Sequence, residues 1–552
     1  MNVLRAAALY TLLTAVFTWP LVARLHVMDA GDSAFFAWAI GWELHALKTD
    51  PGQLPHGNIF HPLRYTLGFD EPILGTTVLV APLGLVTSDA VFLFNVARLL
   101  TFLLSAITAY LLARGLGCDD GAALFAGAAF AFNPIRTDQI AHLSTLGSQW
   151  LPLVLLFMHR YLARGRWVDA LWSALFFALA TYACGYHGLI GLAVLPPAAL
   201  VLLWGRWQRL PGAIVAAAAA AVMLLPLYVL HRRALDPLGY ERGAGETVVY
   251  SAAVESFLAT TSWNRVYGEV TGEFRSTNAN NLFPGLVLPV LAIGGAWWRW
   301  RHGRRPSRDA LALAVMGLAA ALVALGPELR FMGHVLGPGP FALARELVPA
   351  FRMIRVPSRA GIFIALALSV LAARALTLWR PRTPRLMAIA AVALAETLIV
   401  PIPMPAWAQV VDSRKRPPPV YEWLAEQPGQ PVVVELPMLD IYGIFQRPAY
   451  HESIYLVHST HHWKPLANGY AGIEPAPYVN LRQRARRFPS ADALAAFRER
   501  GVRYVVLHRR GYGPNQWARI ERDLIWFASE LKEVARFDED AVYELQAAPG
   551  GV

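Results

Sequence analysis

The amino-acid sequence predicts an α-helical polytopic membrane protein of about eleven transmembrane helices, with an α/β domain at its C-terminal end on the outer side of the membrane. Three observations carry this expectation. Of the 552 residues, 56% are hydrophobic and only 16% charged, and the mean hydropathy is +0.39, a balance foreign to ordinary soluble domains. The apolar residues gather into runs close to the roughly 20 that a helix needs to cross the hydrocarbon. Charge returns in quantity only after about Pro405.

The formal net charge of +11 does not point to nucleic acid as a partner, because the arginines cap the ends of apolar runs instead of forming a basic domain. Cys118 and Cys184 lie in or beside predicted spans, without CxxC or Cys/His spacing, which argues against a disulfide framework or a zinc site. Arg and Ala are abundant and Lys is rare, a bias of GC-rich bacterial coding, so a bacterial source is expected.

Spans are expected near 3–22, 90–113, 121–133, 148–162, 168–185, 187–204, 210–230, 282–300, 308–326, 359–379 and 385–402. The first has Arg5 before its apolar core and no A-x-A-like site after it, as an uncleaved anchor does. Basic short loops follow the even-numbered spans: Arg114, "HRYLARGR" (159–166), "GRWQR" (205–209), "RWRHGRRPSR" (299–308) and "RPRTPR" (380–385). Because Lys and Arg of short loops stay cytoplasmic, the N-terminus is expected inside. The outer side then receives 23–89, 134–147, 231–281, 327–358 and everything after about 403. Residues 1–404 are read as the multi-span domain and 405–552 as a soluble α/β domain. In the latter, "PVVVELP" (431–437) and "VRYVVLH" (502–508) read as strands and 515–534 as a helix.

Val27–Leu47 reads "VMDAGDSAFFAWAIGWELHAL" and sets Asp29 and Asp32 just beyond the first span. From Ser33 onward the spacing of Phe36, Ile40, Leu44 and Leu47 predicts a helix lying in the membrane interface, with Trp38 and Trp42 at headgroup depth. Asp32 stands where an N-cap would. A capped carboxylate stays ionised and fixed in direction, which a general base also needs.

The rest of this loop, "HGNIFHPLRYTLGFDEP" (56–72), supplies His56, His61, Arg64, Asp70 and Glu71. These suit sugar hydroxyls or a divalent metal ion such as Mg or Mn, since hard cations select carboxylate oxygens; the alternative is a polar loop that satisfies itself. "NPIRTDQIAHLSTLGSQW" (133–150) interrupts the third and fourth spans, and irregular backbone near a membrane is tolerated where it lines a cavity. Arg136, Asp138 and His142 are therefore pocket candidates. "FRMIRVPSRAG" (351–361) puts Arg352, Arg355 and Arg359 at the start of the tenth span, where guanidinium groups take phosphate oxygens or simply snorkel. Tyr186 and His187 form a turn and read as structural. "HSTHHW" (458–463) lacks the spacing of a metal site.

An N-terminal span, an acidic motif followed by aromatics in the first outer loop, many further spans and a C-terminal outer domain resemble the GT-C superfamily of glycosyltransferases that use polyprenyl-phosphate sugars. Those enzymes commonly pair adjacent acids before an aromatic; here "GDSAFF" has Ser33 where the second acid often stands, which makes Asp32 the principal catalytic candidate and Asp29 the lesser one. "GDSAFFAW", "NGYAGIEPAPY" (468–478) and "RVPSR" (355–359) are similar to stretches in a set of large bacterial membrane proteins related to that superfamily. The resemblance implies an inner-membrane, cell-envelope glycosyltransferase whose Asp32 takes the proton of an acceptor hydroxyl, with inversion at the sugar. Its partners would be the lipid bilayer, a polyprenyl-phosphate-linked sugar, and a glycan, lipid or protein acceptor. Two other readings share the architecture: a transporter or flippase of lipid-linked sugars, and a non-catalytic polysaccharide assembly factor. The scarcity of charge inside the spans argues against an ion or proton path.

Overall fold

The computed structural model of the chain describes residues 3–240, 243–275, 280–400, 402, 411–440 and 443–547. The expected domain boundary at Pro405 lies outside them. A helix occurs at each expected span: Val3–Phe17, Ala90–Gly115, Asp120–Ala131, Leu151–Arg164, Trp167–Ala183, Gly185–Leu203, Leu210–Leu235, Val287–Arg301, Arg308–Ala324, Gly361–Trp379 and Thr383–Ala395. Among the described residues four stretches are long and apolar enough to cross a membrane: 90–115, 185–203, 207–238 and 357–379. The protein is membrane-embedded and predominantly helical.

The helices start where short side chains satisfy their free backbone donors. Asp89 accepts from Phe92 N–H at 2.9 Å, Asp119 from Ala122 N–H at 2.9 Å, and Ser307 from Ala310 N–H at 3.2 Å. Where two helices cross closely only glycine fits: a Cβ at Gly75 would lie 2.1 Å from the Leu179 carbonyl, and one at Gly127 would lie 2.5 Å from that of Ala106. The 357–379 stretch is central, with 72% of its apolar window covered by protein, whereas the corresponding figure for 207–238 is 11%, so that helix faces lipid.

Eight strands are described: β1 Val27–Met28, β2 Glu328–Phe331, β3 His334–Pro338, β4 Val411–Asp412, β5 Val432–Leu436, β6 Val502–His508, β7 Leu531–Phe537 and β8 Asp540–Leu545. The last four form one sheet in the order β5-β6-β8-β7. β5 and β6 are parallel and joined through helices, and the β6/β8 and β7/β8 pairs are antiparallel. The strands expected at 431–437 and 502–508 are present, but the expected helix at 515–534 stops at Trp526 and β7 follows.

The Asp32–Thr49 helix is covered by protein on the faces that its spacing offered to the membrane interface. It is sandwiched between the Ala90–Gly115 helix and the Glu452–Ser459 helix. Trp38 is fully buried and donates to Asn58 Oδ1 at 2.9 Å, and Trp42 donates to the Leu54 carbonyl at 3.1 Å. Of the expected stripe, Phe36, Ile40 and Leu44 are buried by protein and Leu47 is 49% exposed. One core runs from Phe35, Trp38, Ile59 and Phe60 of the first loop into Val434, Leu436, Leu456 and Val505 of the C-terminal layer. The short β1/β4 pair, Val27 opposite Asp412, stitches the same two regions together.

Candidate active site

The three motif stretches, 31–38, 355–359 and 468–478, are far apart in the chain and meet at one place. The first helical residue there is Asp32, and the N-cap is Gly31, whose φ of 88° is one that glycine adopts without strain. Asp32 is thus not the capping residue the sequence suggested, and its side chain is free for other partners. Its Oδ1 accepts from the Tyr470 hydroxyl at 2.6 Å, and its Oδ2 lies 2.8 Å from His142 Nε2. Both side chains of the Asp32–His142 pair remain accessible, at 40% and 35%. Burial alone would raise the Asp32 carboxyl, but the hydrogen bond and charge of His142, the Tyr470 hydroxyl and the charge of Arg359 together hold it well below the usual carboxylate range.

A second row of groups lies beside this pair. Asp70 accepts from the backbone N–H of Glu71 at 2.7 Å and of Gly472 at 2.6 Å. Burial raises its carboxyl to about 7, assisted by the nearby charges of Glu71 and Asp32. Glu71 accepts from the Tyr186 N–H at 3.2 Å, is 3.4 Å from Cys184 Sγ, and is 3.7 Å from Arg359 Nη1. The Arg359 guanidinium stacks on Tyr186 with 4.4 Å to the ring centroid. Arg355 stacks on Tyr250 at 4.8 Å and reaches the Gly472 carbonyl at 3.5 Å. Asp138 accepts from Asn281 at 3.1 Å, and burial raises its carboxyl to about 6 against the pull of Asn281, Thr261 and His142.

Other candidates lie elsewhere. Asp29 is half-buried; burial raises its carboxyl, opposed by the charge of Arg98 and a hydrogen bond with Ser33, which itself accepts from Arg98 at 3.1 Å. Arg136 is fully buried and spends its guanidinium on the Ser148 and Ser105 hydroxyls, at 2.9 and 3.0 Å, and on the Leu146 and Ala131 carbonyls. It locks the polar interruption onto the Ala90–Gly115 helix instead of lining a pocket. His56 accepts from Tyr65 N–H at 3.0 Å and faces Arg64 at 3.5 Å, so these two fold the loop upon itself. His61 lines a separate cleft of about 250 Å³ with Tyr478 and Arg500. Arg352 is exposed outside the cluster.

The carboxylates expected to suit a divalent cation are turned to protein donors: both Asp32 oxygens and both Asp70 oxygens accept hydrogen bonds, and Glu71 faces Arg359. Among the described residues no group of three or more His, Cys, Asp or Glu side chains converges on one point.

Tyr470 is not among the sequence-predicted site residues, although it lies in the 468–478 motif; its signal is a tyrosine flanked by small residues, Gly469 and Ala471. It is held in place by Asn468, whose amide accepts from Glu435 N–H at 2.7 Å and donates to the Glu435 carbonyl at 2.9 Å. Tyr186 and Tyr250, the stacking platforms of the two arginines, carry no motif.

No curated protein sequence matches the chain. Among solved structures, the arabinofuranosyltransferase AftD from Mycobacteria aligns over 99% of this chain with a TM-score of 0.53 and 17% identity, and this chain spans 40% of that one. ArnT from Cupriavidus metallidurans bound to undecaprenyl phosphate aligns over 100% of this chain and 98% of its own, with a TM-score of 0.53 and 14% identity. Its apo form gives 0.51 at 14% identity, over 98% and 97%. The likeness is one of fold, and the fold of this chain is GT-C-like. The family model that matches, over residues 6–397, is described as a domain of unknown function, DUF6311, and the chain belongs to that family.

Proposed function

We propose that the protein is an inner-membrane glycosyltransferase that moves a sugar from a polyprenyl-phosphate donor to an acceptor hydroxyl on the outer side of the membrane. The observation that carries this reading is one accessible, ionised carboxylate, Asp32, beside two arginines at the head of the central span.

In this reading the donor's phosphate lies at Arg359 and Arg355. Stacking on tyrosine orients each guanidinium fork without using up its donors. The acceptor oxygen attacks the anomeric carbon and forms a new C–O bond. The bond from that carbon to the phosphate oxygen breaks, and its electron pair leaves with the lipid phosphate, where the arginines take up the growing negative charge. The acceptor proton passes to Asp32. A single displacement of this kind inverts the anomeric centre. So acidic a carboxyl is a weak base in the ground state. The proton transfers late, once bond formation has made the hydroxyl acidic, and His142 and Tyr470 keep the carboxylate ionised and aimed until then. No step runs through a metal ion.

The test is transfer in detergent from radiolabelled polyprenyl-phosphate sugars, with release of lipid phosphate measured alongside. A transporter or scaffold gives neither. The outward orientation is tested by reporter fusions: after Arg166, Arg209 and Arg305 they should report cytoplasm, and after Gly268 and Pro428 the outer compartment. An outer signal at Arg305 would overturn it.

A further inference from the structure

Between the Arg308–Ala324 helix and the span at 357–379 the chain is not a plain connector. β2 and β3 fold back as a hairpin that turns through Met332 and Gly333, at φ of 48° and 82°, and the short helix Pro340–Leu347 follows. Large apolar side chains of this segment point away from the protein: Phe331, Met332, Val335 and Leu336 are 46–60% exposed, and Leu343 and Leu347 are 64% and 71% exposed. Soluble surfaces carry such side chains scattered singly; here they succeed one another along one short segment.

The segment is also fixed in place. Glu255 accepts from Met332 N–H at 3.0 Å, Gly339 N–H donates to the Pro327 carbonyl at 2.8 Å, and Phe341 N–H donates to that of Gly326 at 3.2 Å. Phe341, two and six residues before the exposed leucines and on the opposite side of the short helix, is 1% exposed and anchors that helix in the helical layer. From Ala324 to Glu328 the chain reaches roughly 13 Å at most, so the hairpin stays at the end of its helix.

We propose that the β2–β3 hairpin and the Pro340–Leu347 helix lie in the membrane leaflet, with lipid as their partner: the apolar side chains sit at the acyl–headgroup boundary and exposed Arg352 stands at phosphate depth. Lipid is the occupant because this face continues from an apolar helix before it and leads into a span after it. A one-sided helix, buried at Phe341 and bare at Leu343 and Leu347, suits an interfacial position. The element also borders the candidate site. Ala252 N–H donates to the Ala324 carbonyl at 2.8 Å, and Tyr250, two residues earlier, is the platform of Arg355. The hairpin would thus stand beside the opening by which a lipid-linked donor reaches the arginines, a point that rests on the proposed function; the insertion itself does not.

The test uses full-length protein in bilayers of phosphatidylethanolamine and phosphatidylglycerol, with a nitroxide placed at Met332→Cys, Leu336→Cys or, as the water-exposed control on β7, Lys532→Cys. Native Cys118 and Cys184 are 2% and 0% exposed, and the unsubstituted protein serves as the labelling blank. Collision with dissolved oxygen, relative to collision with a water-soluble nickel chelate, should be severalfold greater at 332 and 336 than at 532. Equal ratios at all three positions would overturn the proposal. So would exclusion of both reagents at 332 and 336, or spin–spin broadening between molecules, since either means that protein or a second copy covers the face. Because no sugar transfer is measured, failure here leaves the proposed function standing, and failure of transfer leaves insertion standing.

Discussion

Two of the acid–histidine clusters among the described residues differ most clearly in accessibility. Asp32 and His142, 2.8 Å apart, are 40% and 35% accessible. In the C-terminal sheet His508 lies 3.0 Å from Glu435 and 2.9 Å from Asp540, and these three are 4%, 0% and 17% accessible. Tyr421 adds a hydrogen bond to Glu435 at 2.7 Å, and Tyr455 stacks on His508. Burial would lower the His508 imidazole, but its hydrogen bonds to Asp540 and Glu435 raise it to about 9, so its charge does not change near neutrality. Sealed from solvent and fixed in charge, that triad is a tie. The exposed pair has the same kinds of groups open to solvent, and under the proposed function it is this accessibility, not the pairing, that sets Asp32 apart from Glu435.

The comparison can be broken experimentally, beginning with the open pair. Asp32→Asn keeps size and shape but cannot take a proton, so sugar transfer per folded molecule should fall on the order of 10²–10⁴-fold, with a smaller loss of thermal stability from the weakened contacts to His142 and Tyr470; normal transfer would make Asp32 a positioning group. His508→Ala should do the reverse. It leaves Glu435 a buried acid without its cationic partner, held only by the Tyr421 hydroxyl, a loss on the order of 3–5 kcal/mol, read as a lowered melting temperature in the same detergent. Asp70→Asn should act on pH dependence. Between the ordinary value of 3.8 and about 7 the folded protein keeps a proton on Asp70 that the unfolded chain has lost. Stability therefore falls as pH rises through that window and is level above it. The variant should flatten that slope in melting curves recorded across it, and should extend activity to higher pH, because no negative charge then appears beside Glu71 and the phosphate site. The smallest effect is expected for Arg64→Ala, an exposed side chain facing only His56: transfer and melting temperature should both stay near those of the unsubstituted protein.

Much of this was legible in the sequence. Apolar runs located the helices, because hydropathy is a local signal, and the caps at Asp89, Asp119 and Ser307 came only with the structure. Asp32, His142, Asp70, Glu71, Arg355 and Arg359 could be named because polar groups are costly beside apolar runs and so stand out. Direction was not legible. Arg136 and His142 share one polar interruption, yet Arg136 turns into the helices and His142 toward Asp32, a choice made by Ser105 and Ser148 on one side and Tyr470 and Asp32 on the other. The Trp38 stripe read as an interfacial face because a stripe reports only that something apolar covers it; here that cover is Leu456 and its neighbours, more than 400 positions away. β7 and β8 were missed because "LKEVARF" alternates too weakly against its charged residues to stand out as a strand.

The span of sequence bridged at the site bears on how the molecule is made. Tyr470 reaches back 438 positions to Asp32, Gly472 reaches back 402 to Asp70, and Ser453 accepts from the Gly31 N–H 422 positions earlier. Synthesis runs from the other end, so the aspartate is in place while the ribosome has hundreds of codons still to read. A nascent or prematurely released chain therefore carries the carboxylate without the hydroxyl that aims it and without the segment that roofs its helix. Under the proposed function, a chain not yet translated past Gly472 is expected to be inactive, because Asp32 then lacks the partner that orients it.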